Sequence, residues 1–452
     1  MNGREIPGFC WDPEKKKYFR IQANHVAPTG SQYSAQAVKK RKYDSEVQKH
    51  REGVERQIRL QRVRKSRHLT NPISRITAEI ESDPVRGFVK QSRQGEAFTS
   101  QLQLRRGYDL DSLTLDATVA DFARHDESGA LIVGLNNSRF SCDLIVCPPF
   151  AQEEGKEEGK VSSIPSGTDK FVSMHRLSSL SLCDSGAFLA TMDSGIEGDS
   201  MFLVGSVANV PTDGTPIRAS QLPLELTGHD STMWCSAARP DSGNDPFFAV
   251  GTSEGLYTFR QGDMALTRAN INLPKRSRKA SKDVDLLALD WLSPTVIATG
   301  FRNSLVGLYD VRSSGFATRI QHPRSVGQVK RVDENRLVVA GYRSMQMYDI
   351  RFPSKRGILS NSCLTFEDYE NEFRHQIDVN CGLGLVASIN DGERIRFHSL
   401  ADGSNIPTGR SMERNIAATN RIMFENSQGM SRLGQYPRLL VSKGTVVAEL
   451  AW

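Results

Sequence analysis

The chain has 452 residues, is 38% hydrophobic and 24% charged, and carries a formal net charge of +6. Its longest apolar runs, such as 337–341 and 439–442, are strand-sized, and none approaches the roughly 18–20 residues that span a bilayer, which excludes a helical membrane protein. The seven cysteines are odd in number and scattered, with no Cys-x-x-Cys, so a disulfide framework or zinc site is not expected and reduced thiols in an intracellular compartment are.

Residues 1–5 carry no apolar segment of the secretory kind, so no signal peptide is expected. Residues 5–21, EIPGFCWDPEKKKYFRI, predict a short aromatic hairpin, with Asp12-Pro13 setting the turn. Its four aromatics, Phe9, Trp11, Tyr18 and Phe19, are expected to pack on the body or on a partner. After a polar stretch, residues 36–68 have helical composition and a thin apolar stripe of Val47, Val54 and Ile58. Between Lys39 and Arg67 stand twelve Lys/Arg and four Asp/Glu, a local +8 that leaves −2 for the rest of the chain. Residues 70–108 read as a mixed linker with a few ordered strands.

From about residue 115 short strand-like runs alternate with Gly, Asn, Asp and Ser clusters at a repeat of roughly 40 residues, the period of WD-type propeller blades. The clearest unit runs over 285–312 and ends in Tyr309-Asp310-Val311-Arg312; the next ends in Tyr348-Asp349-Ile350-Arg351. Weaker copies lie at 115–147, 170–205, 229–259, 374–400 and 421–450, which makes seven candidate blades, with six or eight as alternatives. Ring closure needs a strand from one terminus in a blade begun at the other, and residues 101–104 pairing with the C-terminal blade are one way to supply it. The charged run 151–160, AQEEGKEEGK, reads as a disordered insertion, and 274–282, PKRSRKASK, as a second basic loop. The expected organisation is a hairpin and turn segment at 1–35, a basic helical arm at 36–70, a linker at 71–110 and an all-β, WD40-type propeller at 111–452.

Sequence patterns for catalysis are weak. Gly251-Thr252-Ser253-Glu254-Gly255 matches G-x-S-x-G, but that motif needs a strand-turn-helix, and the flanks here read as strands. Gly382-Leu383-Gly384 lacks the helix of a dinucleotide fingerprint. No catalytic residue, metal site or cofactor is expected. The cluster Lys39-Lys40-Arg41-Lys42 has three readings: a nuclear address, a helix docked on a protein, or phosphate contacts to nucleic acid. Ser281 in the second basic loop is a candidate phosphorylation site whose modification would lower the loop's charge. The two Tyr-Asp-x-Arg boxes are the sharpest feature. In each, the Asp is suited to stabilising turns, and the Arg two residues on is expected at the rim of one face, giving a paired site for a partner's carboxylates or carbonyls.

Together these features resemble the WD-repeat substrate receptors of the cullin-4 RING ubiquitin ligase. The resemblance rests on the adjacent boxes, on Pro7-Gly8-Phe9-Cys10-Trp11-Asp12-Pro13-Glu14-Lys15 followed by Tyr18-Phe19-Arg20, on Gly300-Phe301-Arg302-Asn303, and on Tyr369-Glu370-Asn371-Glu372-Phe373. It covers the hairpin and roughly 285–400 well and the first three blades in outline. Tyr309 and Tyr348 stand where the family more often has Trp; the ring is kept. The resemblance implies that Tyr309, Asp310, Arg312, Tyr348, Asp349 and Arg351 dock on the ligase adaptor, damage-specific DNA-binding protein one, and through it on cullin-4. It implies an unidentified protein substrate and ubiquitin chemistry on other subunits. The basic segment gives the expectation of a nuclear location, with the cytoplasm as a second compartment, and the short apolar runs that of no membrane partner. The resemblance also offers residues 36–68 a role, since a helix ahead of the propeller often enters the adaptor in this class. The competing expectation is a nuclear scaffold for protein or nucleic-acid complexes unconnected to ubiquitin.

Overall fold

The computed structural model describes residues 8–61 and 84–451, apart from 13–14, 24–25, 27–31, 112–115, 139–140, 150–159, 164–167, 169, 194–199, 208–223, 230, 242, 244, 264, 272–284, 352–357, 360–361, 370, 372–375, 391–392, 409–418 and 426–436. The chain divides into two compact units, Met1–Arg64 and Lys65–Trp452.

In the first unit, Phe9–Asp12 and Lys17–Arg20 pair antiparallel, Trp11 opposite Tyr18. Three of the four aromatics pack within this unit, and Phe9 is exposed. Trp11 and Tyr18 lie 4.7 Å apart between ring centroids, and Phe19 stacks on Tyr33 at 4.4 Å. Asp12 holds the turn by accepting Lys15 N–H (3.1 Å) and the Tyr33 hydroxyl (2.6 Å). Helix α1 (Ala35–Gln61) starts at Ser34, whose Oγ accepts Ala37 N–H. Val38 is buried, whereas Val47, expected in the apolar stripe, is exposed. The stretch 62–68, also expected as helix, lies outside the described residues.

The second unit is a seven-bladed β-propeller. Blade 1 comprises Ala117–Arg124, Leu131–Asn137, Cys142–Cys147 and Lys170–Ser173. Blade 2 comprises Arg176–Leu182, Ala187–Asp193, Ser200–Ser206 and Leu224–His229. Blade 3 comprises Met233–Ala238, Phe247–Thr252, Gly255–Arg260 and Ala265–Arg268. Blade 4 comprises Leu286–Ser293, Val296–Phe301, Leu305–Asp310 and Gly315–Gln321, and Ile358–Leu359 adds a parallel fifth strand at its edge. Blade 5 comprises Val326–Arg331, Arg336–Gly341, Ser344–Asp349 and Leu364–Thr365. Blade 6 comprises Ile377–Asn380, Leu385–Ile389, Ile395–Ser399 and Asn405–Ile406.

Blade 7 closes the ring. Its first three strands, Thr419–Glu425, Arg438–Lys443 and Val446–Ala451, come from the C-terminal end of the chain, and its fourth, Gln103–Asp109, comes from ahead of blade 1. Lys160–Ser163 then adds a parallel fifth strand. The closing partner is the one expected, but the strand is longer and starts later: Gln101 ends a helix, and pairing runs from Gln103 opposite Ala451 to Asp109 opposite Val446. The stretch expected as a linker therefore holds helix α2 (Pro84–Gln101) and the closing strand. The helix forms because its Phe98, with Leu102 just beyond, enters the core between blades 6 and 7. Gly95 permits the approach, since a Cβ there would lie 2.8 Å from the Leu383 carbonyl oxygen. The charged run expected as a disordered insertion at 151–160 lies outside the described residues except Lys160, which begins a strand.

Seven buried apolar clusters hold the ring, one at each junction between neighbouring blades. Each blade thus buries its faces against its neighbours, as stacked repeats must. Along the central channel, side chains of one innermost strand accept N–H groups of the next. Asp121 takes Leu180 N–H (3.0 Å), Ser179 takes Ser236 N–H (2.9 Å), and Asp290 takes Arg331 N–H (2.6 Å). Asp378 takes Phe424 N–H (2.6 Å), and Arg421 returns the chain of bonds to blade 1 by donating to the Ala120 carbonyl. Lys330 and Asp378 pair across the channel wall at 3.3 Å.

Candidate functional site

Because the strands of each blade are antiparallel and step outward from the channel, the first-to-second and third-to-fourth connections share one face of the ring. Tyr309-Asp310 and Tyr348-Asp349 end the third strands of blades 4 and 5, so both boxes lie on that face, one blade apart.

The four positions of each box divide the work. The tyrosine rings are core: Tyr309 is 4% exposed and meets Phe316 edge-on, and Tyr348 is fully buried. The Tyr348 hydroxyl donates to Gln346 Oε1 (2.7 Å) and lies 3.1 Å from His322 Nδ1, and burial pushes its ionisation well above the usual tyrosine range. Each Asp has two tasks. Asp310 Oδ1 accepts the backbone N–H of Arg312 at 2.9 Å, and Asp349 Oδ1 that of Arg351 at 3.0 Å, turning the chain out of the strand. The same carboxylates grip the arginine side chains. Arg312 donates from Nε (3.1 Å) and Nη2 (2.8 Å) to Asp310, and Arg351 from Nε (3.0 Å) and Nη2 (2.6 Å) to Asp349. The Arg312 guanidinium holds the Asp310 carboxyl down to about 2, and Arg351 likewise lowers Asp349. These fork-on-fork pairs fix the direction of each guanidinium, while the arginine side chains stay 70% and 58% exposed. The structural role and a presentational role of the Asp thus coincide in one geometry.

The other sequence candidates sit elsewhere. Lys39, Lys40, Arg41 and Lys42 are exposed on α1 in the amino-terminal unit, and Arg41 donates to the Gln32 carbonyl (2.8 Å). Ser281 and the rest of the second basic loop lie outside the described residues. Ser253 occupies a two-residue hairpin turn between strands, where Gly255 takes φ +114°, so no strand-turn-helix elbow exists at the G-x-S-x-G match. Gly382 and Gly384 lie in the turn between the first two strands of blade 6. Among the described residues no group of three His, Cys, Asp or Glu is placed to hold a metal ion. Burial lifts the thiols of Cys142 and Cys147 to about 12, so neither is a reactive thiolate.

Sequence reasoning missed the channel mouth and a cleft beside the first box. The channel encloses about 620 Å³ and is lined by the innermost strands of all seven blades, with Asp121, Lys330, Asp378 and Arg421 among the lining groups. These charges are engaged with one another or with backbone N–H and carbonyl groups, so the channel wall reads as a seam holding the blades together. Compared with known proteins, the chain matches no family model, and no curated protein matches it. The architecture and the box-bearing blades identify the chain as a seven-bladed β-propeller consistent with a WD-repeat protein, a fold that fits a scaffold or receptor.

Proposed function

We propose that this chain is a substrate-recognition subunit of a cullin-4 RING ubiquitin ligase. In this reading it docks on the adaptor, damage-specific DNA-binding protein one, through Arg312 and Arg351 and carries no catalytic centre of its own. One observation carries the reading: two Tyr-Asp-x-Arg boxes occupy equivalent places on adjacent blades, each with its guanidinium aimed by its own aspartate and open to solvent. A planar, solvent-exposed guanidinium suits carboxylates or carbonyls on a partner. The hairpin residues Pro7–Lys15 add a resemblance to the fourth cullin-4-associated factor within that class.

The double substitution Arg312→Ala, Arg351→Ala is expected to weaken capture of purified adaptor by at least about 2 kcal/mol, roughly thirtyfold. Urea unfolding of the variant should stay close to the parent's, because both side chains are exposed. Undiminished adaptor capture by a folded double variant would refute the docking assignment.

The exposed Lys39–Lys42 cluster supports a nuclear address as part of the same proposal. Replacing all four by alanine is expected to move a fluorescent fusion of the full chain from nucleus to cytoplasm. If the fusion stays nuclear while nucleic-acid binding in vitro falls steeply, the scaffold reading gains instead.

A further inference from the structure

We infer that the cleft between blades 3 and 4, on the face that carries the boxes, binds an acidic peptide segment of a partner protein. The inference rests on the docking reading only in placing a partner on this face.

The cleft encloses about 620 Å³, a volume suited to several side chains. Its floor is aromatic and buried: Phe247 is 5% exposed and packs on Trp291 at 5.5 Å, and Tyr309 of the first box is 4% exposed. Two guanidiniums rest on the Phe247 ring, that of Arg239 at 5.2 Å and that of Arg260 at 4.9 Å from its centroid. Arg260 stands directly opposite Phe247 in the strand register, and Arg239 is tied to Phe247 by its backbone N–H at 2.8 Å. A cation over a ring uses the flat face of the guanidinium and consumes no N–H, so the donor edges of Arg260 remain for an acceptor.

Arg268 and Arg312 complete a set of four arginines against one lining carboxylate, Asp263. Glu254 engages Arg268 at 3.5 Å and Asp310 engages Arg312, and the balance stays positive with both counted. The forks of these arginines match carboxylates bidentately. A nucleic-acid backbone asks for an extended cationic track. Further along this face, the charges of Arg336 and Arg351 are each balanced by a carboxylate at 2.6 Å, so they add no net positive charge to such a track. Charge complementarity therefore favours a short acidic protein segment seated between the two blades.

The test uses the full chain and a fluorescent peptide of alternating glutamate and leucine, read by anisotropy at physiological salt. Arg260→Glu is expected to weaken binding about tenfold or more, and Arg260→Gln, which removes the charge and the fork without adding a negative charge, by a smaller factor. Lys443→Glu on blade 7 changes the net charge equally and should leave binding within about twofold, because that exposed residue stands on another blade, away from the cleft. Parental binding by both Arg260 variants would overturn the inference, as would an equal loss in Lys443→Glu. So would a phosphoserine peptide or an RNA oligonucleotide that binds more tightly than the acidic peptide in an Arg260-dependent way. Adaptor capture by the Arg312→Ala, Arg351→Ala variant, measured alongside, separates the two readings. Capture lost there with peptide binding indifferent to Arg260 sinks the cleft alone, and the reverse pattern sinks the docking assignment alone.

Discussion

Replacing Glu449 by alanine is expected to destabilise the propeller by about 3–5 kcal/mol. Glu449 lies on the third strand of blade 7 with its side chain 3% exposed, and three arginines converge on it. Arg106 on the closing strand reaches Oε2 at 3.3 Å, Arg124 on blade 1 reaches the same oxygen at 3.0 Å, and Arg438 on the second strand of blade 7 reaches Oε1 at 3.1 Å. Arg124, 1% exposed, also pairs with Glu425 at 2.7 Å. Burial pushes Glu449 up, but the charges of Arg106, Arg124 and Arg438 outweigh it and hold the carboxyl below its usual range. Glu425, with less compensation, is lifted by burial in spite of Arg124. Removing Glu449 leaves guanidiniums facing one another out of water at the point where the two ends of the ring meet. Glu449→Gln keeps the shape and should cost less. Pairing Glu449→Leu with Arg124→Leu should recover part of the loss, because an apolar substitute for a buried charge network can be neutral or better. Urea unfolding followed by tryptophan fluorescence measures all three. A Glu449→Ala midpoint indistinguishable from the parent's would show that the network contributes nothing to closure.

That network also marks how far the fold was legible in the sequence. The repeat period was visible because strand residues such as Leu305–Asp310 and Ser344–Asp349 carry their own turn chemistry. Glu449 and Arg124, by contrast, interrupt apolar strands and look like surface positions until blades 1 and 7 meet. Helix α2 was hidden because Pro84, Gly87 and Gly95 dilute its pattern, and its reason to fold is a tertiary contact through Phe98. Six blades bulge at the same place on the innermost strand, around Ala120, Ser178, Trp234, Leu287, Gly327 and Asn420. A bulge adds one residue and extra twist without any composition of its own, so periodicity could not show it. The boxes were legible as strings. What the strings did not show is that each guanidinium folds back on its own aspartate. The cleft was illegible for a different reason: Arg239, Phe247 and Arg260 lie on three segments of blade 3, and only antiparallel register brings them to one ring.

Between pH 6.5 and about 4 the propeller is expected to lose stability progressively, by roughly 3 kcal/mol for each of two histidines. His322 and His398 are 1% and 0% exposed. Burial lowers both from 6.5 to about 4. His398 is held neutral beside Phe366 with Nε2 3.1 Å from the Glu367 carbonyl, and His322 sits against the Tyr348 hydroxyl. Above pH 6.5 neither folded nor unfolded chain protonates these rings, and they contribute no pH dependence. Below it the unfolded chain takes up protons that the folded chain refuses, so unfolding gains until the folded rings also protonate near pH 4. The carboxyls of Asp290 and Glu425, raised by burial, act with the opposite sign, because the folded chain protonates them first, and they soften the loss. Glu449, lowered in the fold, adds to the loss only as pH falls below the ordinary glutamate range. The upper part of the window therefore belongs to the histidines. Urea midpoints should hold level from pH 8 to about pH 6.5 and fall steadily from there to pH 5. In His398→Gln, whose amide N–H can replace the bond to Glu367, the slope should drop by about half whatever the variant's stability at pH 8. A parental midpoint constant across that range would mean that the two rings protonate in place, and that the packing around Tyr348 and Phe366 tolerates a charge that their burial argues against.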